Sequence, residues 1–144
     1  MIEQDTIRLL RECDAGISMG VKSIDDVLSH VQNEKLKSML KTCQDDHESL
    51  RSRLQNKLDE YHDEGKKPNP MAQSMSWMKT NTKLFLDDDD PTVADLMTDG
   101  CNMGVKSLSR YLNQYEAADE DSKNIAKDLI ALEDQLAEDL RPFL

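Results

Sequence analysis

Apolar side chains recur in the first half of the chain at steps of three and four residues, or of seven where one intermediate position is not apolar. The first stripe comprises Ile7, Leu10, Ile17, Val21, Ile24, Leu28 and Val31. The second stripe comprises Leu36, Leu40, Cys43, His47, Leu50, Leu54 and Tyr61. This spacing is typical of helices that bury one face. Because only residues 32–35 separate the stripes, we predict two antiparallel helices joined by a short turn.

The second half of the chain follows the same plan. Asp90-Pro91 is a typical helix start, with Asp as N-cap and Pro where no amide donor is needed. The third stripe comprises Ala94, Cys101, Val105, Leu108, Leu112 and Tyr115. After residues 117–121, the fourth comprises Ile125, Leu129, Leu132, Leu136, Leu140 and Phe143. We predict a second helical hairpin.

A sequence repeat links the two halves. The string Met-Gly-Val-Lys-Ser occupies residues 19–23 and again residues 103–107, and flanking apolar residues match at the same offset. Self-similarity of this kind is the signature of a duplicated structural unit. The chain is therefore expected to be one all-α domain, residues 1–144, built from two copies of one hairpin.

The segment between the hairpins predicts the topology. Residues 65–90 begin with a loop containing Gly65, Pro68 and Pro70, and Met71, Met75, Met78 and Phe85 then mark one face of a short helix. Such a segment spans up to roughly 55 Å, whereas helices of about 25 residues are only ~38 Å long. It is long enough to cross the bundle. We predict hairpins at 4–64 and 91–142, a crossover at 65–90, and second and third helices that run parallel.

Four glycines lie inside the predicted helices. In an antiparallel pairing of the first and third helices, Gly16 faces Gly104 and Gly20 faces Gly100 near the middle of the bundle. A glycine inside a helix costs about 1 kcal/mol relative to alanine, so a packing reason is expected. We interpret these four residues as structural, allowing close approach where two helices cross.

Composition narrows the classes of function. The formal net charge of -11 disfavours binding to nucleic acid or to anionic membranes, both of which require a cationic face. No run of 18 apolar residues is present, and we find no signal peptide. Cys13, Cys43 and Cys101 lack any close-spaced pair and suggest reduced, partly buried thiols. A cytoplasmic protein is expected.

Two core positions break the apolar pattern: Asp14, midway between Leu10 and Ile17 in the first helix, and His47 in the second. One interpretation is a buried pair in which carboxylate and imidazole satisfy each other. The other is an atypical, incomplete metal site for iron, manganese or zinc, assisted by Glu12, Cys13 or Glu48. Di-metal carboxylate bundles use a Glu three residues before the His, where this chain has Gln44. We favour the pair and expect no cofactor.

Three short motifs carry a resemblance: Leu10, Cys13 and Gly16 in the first helix, Ser76-Trp77-Met78-Lys79 in the crossover, and Leu96-Met97 with a displaced Gly100 and Cys101 in the third helix. On these residues the chain resembles the ferritin-like superfamily, and within it a group of bacterial ferritin-like domains of unknown function. The resemblance implies a ferritin-like four-helix bundle. We expect a non-enzymatic bundle that acts by protein interaction or homo-oligomeric assembly, in a stress- or spore-associated role. The alternative is a metal-binding or redox bundle.

Overall fold

Four long helices make up the part of the chain that the structure, a computed structural model, describes: residues 2–66 and 88–144. They are α1 (Ile2–Leu28), α2 (Glu34–Glu60), α3 (Asp90–Gln114) and α4 (Glu120–Leu140), followed by a 3-10 turn at Arg141–Phe143. Within these ranges no strand is present, and the predicted all-α class is confirmed. The predicted crossover helix lies outside the described residues.

Three of the helices begin at a side-chain cap. Asn33 accepts hydrogen bonds from the amides that open α2, Asp89 accepts from Thr92 N–H, and Asp119 accepts from Ser122 N–H. Each cap supplies an acceptor for an amide that has no partner inside its helix. The predicted cap of α3 was one residue too late, because Asp89 has that role. Asp90 instead accepts from Gln32 N–H at 2.8 Å and Asn33 N–H at 3.0 Å.

The contacts of Asp90 also establish the direction of the helices. They place the beginning of α3 beside the beginning of α2, at one end of the bundle. At the other end, Asp5 accepts from Ala117 N–H and Thr6 accepts from Asp119 N–H, so α1 begins where α3 ends. Helices α2 and α3 therefore run parallel, and α1 and α3 run antiparallel, as the length of the connection predicts.

Among the residues that the structure describes, the buried apolar side chains form two clusters, one toward each end of the bundle. The upper cluster, at the end where α2 and α3 begin, is built around Ile24, Val27, Leu36, Leu40, Val93, Ala94, Met97, Leu136 and Leu140. The lower cluster is built around Leu9, Leu10, Ile17, Leu50, Leu54, Leu58, Leu108, Ile125 and Leu129. Burying these side chains is the main source of stability in a bundle of this kind.

The buried positions of the two hairpins correspond. Counted from their caps, six buried residues of α2 fall at the same places as six of α4. These pairs are Leu36/Ser122, Leu40/Ala126, Cys43/Leu129, His47/Glu133, Leu50/Leu136 and Leu54/Leu140. The buried residues of α3 likewise match those of α1 at the repeat offset, as in Leu10/Ala94, Ile17/Cys101 and Ile24/Leu108. Both hairpins bury the same face.

None of the helices in the described ranges combines the length and the apolar character needed to cross a lipid bilayer.

Candidate functional site

A polar layer separates the two apolar clusters at the middle of the bundle. It consists of Gly20 from α1, His47 from α2, Gly104 from α3 and Glu133 from α4. On each helix, the buried residue that precedes the layer belongs to one apolar cluster and the buried residue that follows it belongs to the other. On α2, for example, Cys43 belongs to the upper cluster and Leu50 to the lower. In this layer α2 and α4 bring ionisable side chains into the core, and α1 and α3 contribute glycines beside them.

His47 and Glu133 form a direct hydrogen bond across the bundle. His47 Nε2 lies 2.9 Å from Glu133 Oε1, and His47 Nδ1 lies 2.8 Å from the carbonyl oxygen of Cys43. The imidazole is 1% exposed and Glu133 is 9% exposed. Because both ring nitrogens face an acceptor, the geometry suits an imidazolium that donates twice, once to a carboxylate. The buried charge is paired and hydrogen-bonded, as a buried charge must be.

The surroundings of His47 change its proton affinity. Burial lowers its pKa, but the hydrogen bonds with Cys43 and Glu133 outweigh burial and raise the pKa to about 10. The imidazole is therefore charged across the neutral pH range. A histidine with this pKa is a poor general base, because a base must be unprotonated at the working pH.

Two thiols border the polar layer on the side of the upper cluster. Cys43 Sγ lies 3.6 Å from His47 Nδ1, and Cys101 contacts Glu133. Burial, followed by the charge of Glu133, raises the pKa of Cys101 well above its usual value. In the lower cluster, burial with Glu12 and Asp14 raises the pKa of Cys13 to about 12. These two thiols are neutral at physiological pH and therefore weak nucleophiles.

The glycines of the repeat make room for side chains of α2 and α4. A Cβ atom on Gly20 would lie 2.8 Å from His47 Nε2, and one on Gly104 would lie 3.6 Å from Glu133 Cδ. At Gly16 the nearest neighbour is Leu129 Cδ2, at 3.6 Å, whereas a side chain at Gly100 would enter open space. The sequence predicts that the glycines face one another. The structure places Gly20 and Gly104 against the buried ion pair instead.

Asp14 is buried, at 9% exposure, but its partner is not His47. Asp14 Oδ2 accepts a hydrogen bond from Lys66 N–H at 3.0 Å, beside Gly65, whose φ is +84°. A positive φ favours glycine at this turn. Asp14 thus holds the chain that leaves α2 against α1, and the predicted pairing of Asp14 with His47 does not form.

The register of the first hairpin explains this difference. A hairpin that reverses near Gln32 would place His47 level with Ile17 and one turn from Asp14, whereas the structure places His47 against Gly20, nearly one helical turn further along α1. At ~1.5 Å per residue, Asp14 is then about 9 Å from the level of His47. Because of this shift of less than one turn, Asp14 is too far from His47 to pair with it, and His47 pairs with Glu133.

The other candidate ligands also have partners elsewhere. Glu12 forms an ion pair with Lys66 at 2.6 Å, and Glu48 forms one with Arg51 at 3.0 Å on the surface. Cys13 lies in the lower apolar cluster. In the two described ranges, no group of three or more His, Cys, Asp or Glu side chains is arranged to hold a metal ion.

Glu133 is the site residue that the sequence analysis missed. It interrupts the apolar spacing of the fourth helix less visibly than His47 does in the second. A signal was nevertheless present, since His47 is the fourteenth residue after the cap Asn33 and Glu133 is the fourteenth after the cap Asp119. Aligning the hairpins on their caps would have paired these two residues.

Comparison of the chain with protein-family models, with curated proteins and with solved structures found no match.

Proposed function

We propose that this chain is a ferritin-like bundle that carries out no chemistry of its own and acts through protein contact, as a homo-oligomer or with a protein partner. Its parallel α2 and α3 and its long connection support the ferritin-like type. A stress- or spore-associated role belongs to the same proposal.

The observation that carries the proposal is the internal pairing of the candidate reactive groups. The carboxylate of Glu133 is bonded to His47, and that of Asp14 is bonded to the backbone of Lys66. Both side chains therefore contribute to holding the helices in place. What the bundle presents to other molecules is its outer surface, where Met103 is 68% exposed on α3. Met19 is half-buried at the equivalent position of α1, and Met75 lies outside the described residues.

Sedimentation equilibrium of the purified protein tests the assembly. We expect the wild-type protein to sediment above its monomer mass of 16.4 kDa. Met103→Lys should shift the mass toward monomer, because a charge on an apolar contact must be desolvated. The matched control is Leu144→Lys, at a residue that is 59% exposed beyond α4. The proposal is contradicted if the wild-type protein stays monomeric up to its solubility limit and its sedimenting mass does not change in the presence of other proteins.

Metal binding is the second candidate function. It is favoured by the nitrogen of His47 and the oxygen of Glu133, 2.9 Å apart in the core, with the thiols of Cys43 and Cys101 beside them. Nitrogen, oxygen and sulfur donors are the ligands that Zn²⁺ takes in proteins. If an ion binds, we expect it to involve these two residues rather than Asp14.

Elemental analysis of protein purified without chelator separates the two functions. Stoichiometric iron, manganese or zinc that is absent from His47→Gln, and unchanged in Asp14→Asn, would establish the second. Metal-free protein that keeps its oligomeric mass favours the first.

A further inference from the structure

The surfaces through which the two hairpins meet are nearly the same. Both bury their apolar stripes at corresponding positions, and each has a glycine in the polar layer, Gly20 in α1 and Gly104 in α3. Apolar burial does not depend on direction or on partner identity. Contacts of this kind alone would therefore let the first hairpin of one chain pair with the first hairpin of another.

The polar layer is where the two hairpins differ. In the first hairpin His47 lies against Gly20, and in the second hairpin Glu133 lies against Gly104. The two side chains then meet across the bundle at 2.9 Å. Pairing unlike hairpins therefore brings an imidazolium to a carboxylate.

Pairing like hairpins has the opposite result. Two first hairpins would bring His47 to a second His47, and two second hairpins would bring Glu133 to a second Glu133. Either arrangement buries two charges of one sign, or forces one group to change its protonation state, in the interior between two apolar clusters. Like charges placed together in this way reject a wrong partner.

We propose that the His47–Glu133 pair is a pairing-specificity device: it selects association of the first hairpin with the second and disfavours association of like hairpins from two copies of this chain. The same logic applies where one buried polar residue sets the register or oligomeric state of a coiled coil. Stability alone cannot reveal such a role, because replacing a buried ion pair with apolar residues is often neutral or stabilising.

The experiment refolds full-length protein from denaturant over a range of concentrations, in reductant and EDTA. The test variant is His47→Leu with Glu133→Met, which keeps the volume and removes the charges. The matched control is His47→Glu with Glu133→His, which keeps an opposite-charge pair in reversed order. Mass is measured by light scattering after gel filtration, and conformational uniqueness by the number of amide resonances.

We expect the wild type and the charge-reversed control to refold to the same mass distribution, with one set of resonances. The apolar variant should form additional larger species, whose fraction rises with protein concentration, and should show extra or broadened resonances. A second variant, His47→Gln with Glu133→Gln, gives the same readout if the apolar variant does not fold. Glutamine pairs are equally good between like and unlike hairpins, so it too should misassemble.

Two results would overturn the proposal. In one, both the apolar and the Gln variants refold to the mass distribution and single set of resonances of the wild type. In the other, the charge-reversed control misassembles to the same extent as the apolar variant, which would show that charge complementarity does not select the pairing.

Discussion

The most consequential residues in this bundle are glycines that carry no side chain. Gly20 leaves space for the imidazole of His47, and Gly104 leaves space for the carboxylate of Glu133. Gly16 and Gly100 differ from them, because their nearest surroundings are a leucine methyl group and open space. Glycines at corresponding positions of the two halves therefore differ in how closely their neighbours pack, and each can be tested separately.

Alanine substitution distinguishes the glycines. Gly20→Ala puts a Cβ atom 2.8 Å from His47 Nε2, and the ring is held at both nitrogens, so we expect a loss of about 1–3 kcal/mol. Gly100→Ala is the matched control. It meets no neighbour within 4 Å and should stabilise the protein by about 0.5–1 kcal/mol through helix propensity. Urea denaturation measures both. Equal effects at the two sites would contradict the packing described for Gly20.

The charge on His47 predicts a pH dependence of stability. Its pKa in the folded state is raised to about 10 from 6.5, so the folded state holds the proton more tightly than the unfolded state. The contribution is therefore full below pH 6.5, and it is lost as the pH rises through about 10.

Denaturation curves at several pH values, compared with His47→Gln, isolate this contribution. The difference in unfolding free energy between the two proteins should shrink steadily as the pH rises over that window. Lys57 and Tyr61, whose pKa values are raised, titrate above this window in the folded state and are common to both proteins. A constant difference across the window would show that the imidazole is neutral in the folded state.

At the scale of elements, the helices and their pairing were predictable and the register was not. Apolar spacing and the length of the connection predicted four helices with α2 parallel to α3. Register depends on how α1 and α2 cross, which spacing along one helix does not report. The error of nearly one turn replaced Glu133 with Asp14 as the predicted partner of His47.

Asp14 accepts a hydrogen bond from the backbone of the turn after α2, and we expect its substitution to destabilise mainly this turn. Asp14→Asn weakens a charge-assisted bond to Lys66 N–H, and Asp14→Ala removes the acceptor, for an expected loss of about 1–3 kcal/mol. Hydrogen exchange of the Lys66 amide should accelerate in both variants, more so in Asp14→Ala.

The control for this turn is Glu12→Ala, which removes the ion pair with the Lys66 side chain and a contact with Tyr111 but leaves the bond from Lys66 N–H to Asp14 in place. That lysine is half exposed, so the expected cost is about 0–1 kcal/mol, with little change in exchange at the Lys66 amide. If Glu12→Ala and Asp14→Ala accelerate exchange equally, the tether is the side chain of Lys66 rather than its backbone.

For the whole molecule, the dominant electrostatic feature is the net charge of -11. Self-repulsion of a strongly charged chain disfavours the compact state, and salt screens it. We expect the unfolding free energy to rise as NaCl increases from roughly 10 mM to about 150 mM, where the Debye length shortens from about 30 Å to about 8 Å. An equal osmolarity of sucrose serves as the control. A fall in stability with salt would mean that the ion pairs outweigh the repulsion.

The polar layer also affects how the sequence can change over time. It divides the interior into two apolar clusters, and substitutions in parts of a protein that share no partner have nearly additive effects. A volume change near Leu36 therefore needs its compensation among the upper cluster and not near Leu58. Within residues 2–66 and 88–144, the two ends of the bundle can accumulate substitutions independently, whereas the four positions of the layer must change together.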